Sequence, residues 1–202
     1  GEIEWAKVLE ISPENYQEQA VANDRSVKLP NNKGASENLA MIAQVYEAYE
    51  SLKKQERGLD FEDVLLLCVG MLEEDRGVRE RVRDQYRYFT VDEYQDISPI
   101  QQRLINAWLG NRKDICVVGD PAQTIYSFAG ATPVFLNTFT QRFPEAEVIR
   151  LSTGYRSTPE ITFAANALLR HGAMGQELVA LNEHGTKPSV DGYANEDAEI
   201  AG

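Results

Sequence analysis

Two adjacent carboxylates, Asp92 and Glu93, follow directly on the run Tyr86-Arg87-Tyr88-Phe89-Thr90-Val91. That run is aromatic and β-branched and predicts a strand with both carboxylates at its C-terminal end. Carboxylates so placed can hold Mg²⁺ while a neighbour takes a proton from water. An acidic pair flanking an ordinary loop is the alternative, and the pair alone does not separate the two. Two later segments place polar and aromatic side chains after a short apolar run. One is Val118-Gly119-Asp120-Pro121-Ala122-Gln123-Thr124-Ile125-Tyr126-Ser127-Phe128-Ala129-Gly130-Ala131; the other is Leu151-Ser152-Thr153-Gly154-Tyr155-Arg156-Ser157-Thr158.

The elements that must position these residues are marked by their own signals. Ser12-Pro13, Ser98-Pro99, Thr132-Pro133 and Thr158-Pro159 each fit an N-cap hydroxyl with proline in the first helical turn, so each predicts a helix start. Leu39, Ile42, Tyr46, Tyr49 and Leu52 recur at helical spacing between Ser36 and Arg57, behind a loop at Pro30-Asn31-Asn32-Lys33-Gly34. Asp60 caps a helix from Phe61 to about Glu74, apolar nearly all round and therefore expected to be buried. Ser98 opens a helix carrying Ile100, Leu104, Ile105 and Trp108 and closed by Gly110. Ile115 to Val118 and Val148 to Leu151 read as strands, with helices from Thr132 to Phe143 and from Thr158 to Arg170, Gly172 lying past the last. Strands alternating with helices predict a parallel sheet in an α/β fold. Residues from Gly175 onward are polar, acidic and weakly periodic, and read as a linker or the start of another unit.

Composition narrows the field. The chain is 43% hydrophobic and 26% charged, which excludes a disordered or fibrous class. No apolar stretch reaches bilayer length, and a cytoplasmic location without membrane contact is expected. Cys68 and Cys116 lie in apolar runs and are expected to be reduced and buried; with two histidines they show no metal-ligand spacing. His171 and His184 are expected to be exposed and without a catalytic role. A net charge of −12 opposes gripping nucleic acid by bulk charge but leaves room for a local groove. Arg76, Arg79, Arg81, Arg83 and Arg87 form the densest basic stretch; with acidic residues interleaved, a salt-bridged solvent face is favoured over phosphate tracking.

Taken together, Val91-Asp92-Glu93-Tyr94-Gln95-Asp96 and the two later segments resemble motifs II, III and IV of superfamily 1 helicases of the UvrD/Rep/PcrA type, in order and at comparable spacing. Leu59-Asp60-Phe61-Glu62-Asp63-Val64-Leu65 resembles the segment that precedes motif II there. The likeness covers roughly residues 40 to 170 and is more specific than any single motif. It implies a partial RecA-like parallel sheet flanked by helices with a helical N-terminal subdomain. Residues 1 to 57 would be the helical insert, 58 to 172 the partial motor lobe, and 173 to 202 a linker or the start of a second lobe. It further implies ATP and Mg²⁺ as the nucleotide and its metal, with Asp92 on the metal and Glu93 polarising the attacking water. Gln123 would sense the γ-phosphate, Arg156 would place its guanidinium there, and Tyr155 would stack on the base. Tyr126 and Phe128 would lie beside single-stranded DNA, a core position being the alternative for Phe128. The family often has Trp-Arg where this chain has Phe128-Ala129, so a cation is absent at Ala129.

The implied activity is an ATP-dependent DNA helicase or translocase of repair or replication, acting on single strands or single/double-strand junctions. Such a motor needs Gly-x-x-x-x-Gly-Lys-Ser/Thr to cradle phosphates. Nothing in the sequence matches it; Gly185-Thr186-Lys187-Pro188-Ser189 lacks the Gly-Lys adjacency, and Pro188 removes a donor. The segment is therefore expected to be an excerpt of a longer motor and inactive alone. A RecB/AddA-like helicase-nuclease parent and a non-enzymatic interaction module are the other readings. If the strand feeding the missing loop belongs between those near Cys116 and Ile149, these two are expected to close on each other or recruit another chain.

Overall fold

The computed structural model describes residues 1–27, 34–172 and 175–201, and the expected loop at 30–33 lies outside them. Two compact units, Gly1–Glu145 and Ala146–Gly202, make up the chain. The fold is mixed α/β, with short parallel strands in two small sheets.

The first unit opens with α1 (Glu2–Val8), a turn at Pro13–Asn15 behind Ser12, α2 (Tyr16–Ala22) and α3 (Ala35–Glu56). Trp5, Ala6, Tyr16, Ala20, Leu39 and Tyr46 form their shared core, with Ile42 and Tyr49 packed against it. Trp5 meets Tyr16 edge-on at 6.2 Å. Of the expected apolar stripe on α3, only Leu52 stays outside.

α4 (Phe61–Glu74) begins where its signal places it. Asp60 and Asp63 form a reciprocal capping box: the Asp63 N–H donates to Asp60 at 2.9 Å and the Asp60 N–H to Asp63 at 3.2 Å. The same two carboxylates receive buried cations. Lys7, 4% exposed, puts its ammonium 2.5 Å from each, and Lys53 lies 2.9 Å from Asp60 and 2.6 Å from Asp63. Glu50, Asp60 and Asp63 converge as a metal site would, but the Lys7 and Lys53 ammonium groups already stand among them. This knot binds α1, α3 and α4 together. Burial pushes the Asp60 carboxyl up, yet hydrogen bonds from Lys7, the Asp63 N–H and Lys53 outweigh it and hold Asp60 well below the usual carboxylate range. The stabilisation is therefore full above the unfolded-state value of about 4 and is lost as pH falls through the folded one. Lys7→Ala leaves the half-buried carboxylates with Lys53 as their remaining cation and is expected to cost about 3 kcal/mol in urea unfolding at neutral pH. A loss under about 0.5 kcal/mol, the size of an exposed pair, would refute the knot's role.

α4 departs from expectation in its surroundings. Val69 and Leu72 are buried against Leu104, Ala107 and Trp108, but Val64, Leu67 and Met71 are exposed and Phe61 is 86% exposed. Neighbouring helices cover one side, and no described element of this unit covers the other. α5 (Arg76–Gln85) follows, capped by Asp75. Its arginines serve neither expected purpose for the most part. Arg76 pairs with Glu80 at 2.7 Å, whereas Arg79 donates to the Leu72 and Glu73 carbonyls ending α4 and Arg83 to the Ala107 carbonyl. Guanidiniums there satisfy the orphan carbonyls and the negative pole of each helix.

β1 (Phe89–Val91) pairs in parallel with β2 (Ile115–Val117), Thr90 opposite Cys116. Between them α6 (Pro99–Leu109) starts with Ser98 and Gln101 in a capping box and stops at Gly110, φ 61°. Cys116 is exposed, correcting the expectation of a buried thiol: β2 alternates and this face is uncovered. The helix expected from Thr132 to Phe143 is broken into α7 (Val134–Asn137) and α8 (Phe139–Arg142), with the Thr138 hydroxyl donating back to the Val134 carbonyl at 2.7 Å.

In the second unit, Val148 to Leu151 forms no strand and is exposed. Instead β3 (Thr153–Gly154) pairs in parallel with β4 (Val179–Ala180), flanking α9 (Pro159–Gly172), whose last turn includes Gly172; α10 (Glu196–Ala201) follows. The Asn166 side chain clips the Leu178 backbone through both its amide atoms. The expectation that strands near Cys116 and Ile149 close on each other meets no strand at Ile149. Among the described residues β2 has β1 as its single neighbour and Ile149 has no backbone partner, because a short apolar run without a neighbouring edge gains nothing by extending.

Candidate functional site

The β1 strand delivers Asp92 and Glu93 to its C-terminal end, both exposed. Asp92 Oδ1 accepts the Glu93 N–H at 2.9 Å, and Glu93 sits in the left-handed region at φ 49°. A non-glycine residue there is strained, and such strain persists where surroundings over-determine it. The surroundings do so here. The next residue, Tyr94, is buried, its hydroxyl 2.5 Å from Gln102 Oε1 and its ring edge-on to Phe139 at 5.9 Å. Backbone bonds Val118 N–H to Val91 and Tyr94 N–H to Val118 extend the β1/β2 ladder and tie the two strand ends together.

Gln95, 1% exposed, then links both loops. Its Nε2 donates to Glu93 Oε2 at 2.7 Å and its Oε1 accepts the Asp120 N–H at 3.0 Å. Asp120 caps the turn Pro121–Gln123 and accepts Gln123 Nε2 at 2.9 Å. Glu93, Gln95, Asp120 and Gln123 thus form one hydrogen-bonded chain. Gly119 makes room for it, since a Cβ there would lie 2.5 Å from Gln95 Oε1.

Tyr126 and Phe128 follow in the same loop, 52% and 59% exposed, their rings 6.1 Å apart. Phe128 thus lies outside the core of this unit. Beside Tyr126 opens a cleft of about 460 Å³ lined by Val8 of α1 and Phe61, Val64 and Leu65 of α4. In the second unit Tyr155 and Arg156 stand just past the end of β3, both exposed; Asn182 donates to the Tyr155 carbonyl at 2.8 Å. Arg156 makes no hydrogen bond or ion pair among the described residues. His171 and His184 are exposed, His184 beside Glu160 at 2.8 Å.

An exposed carboxylate at the end of a parallel strand, with one oxygen on a backbone N–H, fits a divalent cation. The adjacent Glu93 carboxylate, held by an amide rather than a cation, retains its capacity to accept a proton. Residues 3–144 match the family model of the UvrD/REP helicase N-terminal domain. The chain belongs to this family. Over 209 aligned residues and its whole length it is 45% identical to the ATP-dependent DNA helicase UvrD2 of Mycobacterium tuberculosis, of which it covers 29%. Over 146 residues, 71% of the chain, it is 39% identical to the ATP-dependent DNA helicase Rep of Escherichia coli, covering 22% of it. Over 130 residues, 64% of the chain, it is 35% identical to the ATP-dependent DNA helicase PcrA of Leuconostoc citreum, covering 17%. The chain thus spans under a third of the length of these relatives.

Within this UvrD/REP helicase N-terminal domain, Gln95 and Asp120 are the residues that motif reading passed over. Both stand inside the quoted motifs, and the available signal for Gln95 was an amide set between two apolar side chains, Tyr94 and Ile97, that both prove buried. Among the described residues no helix is long and apolar enough to cross a membrane.

Proposed function

We propose that this segment supplies part of the nucleotide site and part of the single-strand track of a cytoplasmic ATP-dependent DNA helicase or translocase in repair or replication. The observation that supports the reading is the hydrogen-bonded chain from Glu93 through Gln95 and Asp120 to Gln123, which links the residues read as proton acceptor and polar sensor. Asp92 would hold Mg²⁺, which when bound neutralises phosphate charge. Glu93 accepts a proton as water attacks the γ-phosphorus and the bond to the bridging oxygen breaks. Gln123 faces the γ-phosphate, Arg156 stabilises the charge that develops on it, and Tyr155 stacks on the base. Tyr126 and Phe128 stack on bases of single-stranded DNA or a junction, a contact indifferent to sequence.

The phosphate-cradling loop has to come from chain beyond these residues. The isolated 202-residue segment is accordingly expected to show no DNA-stimulated phosphate release above background. A longer polypeptide that includes a Gly-Lys-Ser/Thr loop should show it. Robust turnover by the isolated segment would overturn this part of the reading.

A further inference from the structure

The backbone of the aromatic loop is gripped by a side chain 103 residues upstream. Arg25 Nη1 and Nη2 both donate to the Phe128 carbonyl at 3.1 Å. The same guanidinium pairs with Glu2 through Nη2 and Nε, and lies over the Trp5 ring, 4.5 Å from its centroid. Glu2 is itself fixed by the Tyr16 hydroxyl at 2.8 Å, and Trp5 and Tyr16 belong to the helical core. With 17% of its side chain exposed and its donors committed, Arg25 has little left to offer a phosphate. A second contact presses the same loop onto α1. Gly130 sits at φ 95°, and a Cβ there would fall 2.4 Å from Val8 Cγ2. The turn Ser127–Ala129 is therefore held at its middle residue and just past its end, while the Tyr126 and Phe128 rings remain outside. Ala129 brings no charge of its own.

We propose that Arg25 is a positioning residue for single-stranded DNA: by fixing the Phe128 carbonyl against Glu2 and Trp5 it pre-organises the Tyr126/Phe128 pair as a stacking surface. The helices around residues 2 to 25 then set affinity for a strand that they do not touch. Pre-organisation acts by removing the ordering cost of the loop before the ligand arrives. A planar fork bonded on two sides and stacked on a third is needed, which an ammonium cannot reproduce. The inference rests on Tyr126 and Phe128 being the stacking residues.

The test is a titration of a fluorescent oligothymidylate with the longer, loop-containing protein at several salt concentrations. Phe128→Ala and Arg25→Ala are each expected to weaken binding by about tenfold, the loss of one stacked base. The loss in the double variant is expected to fall well short of the product of the single losses, because both act through one loop. The slope of log affinity against log salt should be unchanged by Arg25→Ala, since no phosphate contact is lost. Losses that multiply in the double variant, or a slope reduced by about one, would overturn the positioning role. So would full affinity in Arg25→Ala while Phe128→Ala is weakened. If neither Tyr126→Ala nor Phe128→Ala weakens binding, the stacking reading falls and this inference with it. Should Arg25→Ala fail to fold, Arg25→Lys keeps the charge and is expected to show the same pattern.

Discussion

In the loop-containing protein, Glu93→Gln should bind ATP nearly as tightly as the parent and turn it over about 10³-fold more slowly. The amide has the shape of the carboxylate and can still accept the Gln95 Nε2–H through its oxygen, so the left-handed turn and the link to Asp120 survive. What is lost is the lone pair that takes the proton of the attacking water. The exchange therefore separates position from proton acceptance, which a truncation to alanine cannot do. Single-turnover phosphate release measures the loss, and displacement of a fluorescent nucleotide measures binding. Turnover within about tenfold of the parent would mean that the base is another group.

Arg156→Ala is expected to slow hydrolysis by a comparable factor, about 10³, if the guanidinium meets charge developing on the transferred phosphoryl group. The residue is free to do so: it is exposed, at the end of β3, and engaged by no described protein group. Its neighbour is not free in the same sense, because the Tyr155 carbonyl is held by Asn182. Arg156→Lys should recover little, since a point charge does not match two phosphate oxygens at once. A variant with raised KM but unchanged kcat would mean that Arg156 binds ground and transition states alike, not the developing charge.

How far the sequence reveals this structure depends on how local each signal is. Asp60 before Phe61 and Ser98 before Pro99 state their helix starts within four residues, and both capping boxes form as their spacing demands. The strand ending at Asp92 is equally legible, since β-branched and aromatic residues give way abruptly to charge. Burial is another matter, because it belongs to neighbours. Val64, Leu67 and Met71 look like core on any scale, yet they are exposed where no described element of their unit faces them. Cys116 fails for the same reason, and Val148 to Leu151 has the composition of a strand without an edge to join. In the site, Asp92, Glu93 and Gln123 could be chosen by type and motif. Gln95 and Asp120 could not be ranked above other polar residues until β1 and β2 were seen side by side, which brings their loops within hydrogen-bond reach.

The left-handed backbone at Glu93 carries an evolutionary consequence. A glutamate in that conformation costs folding free energy on the order of 1 kcal/mol, which glycine would release and asparagine would reduce. If Glu93 is the proton acceptor proposed above, such exchanges relieve backbone strain while removing both that acceptor and the partner of the buried Gln95 amide. Backbone relief and turnover would then pull in opposite directions at one residue. A copy of this gene released from that proposed duty would be free to drift toward glycine or asparagine at this position, and the change would mark the loss of turnover.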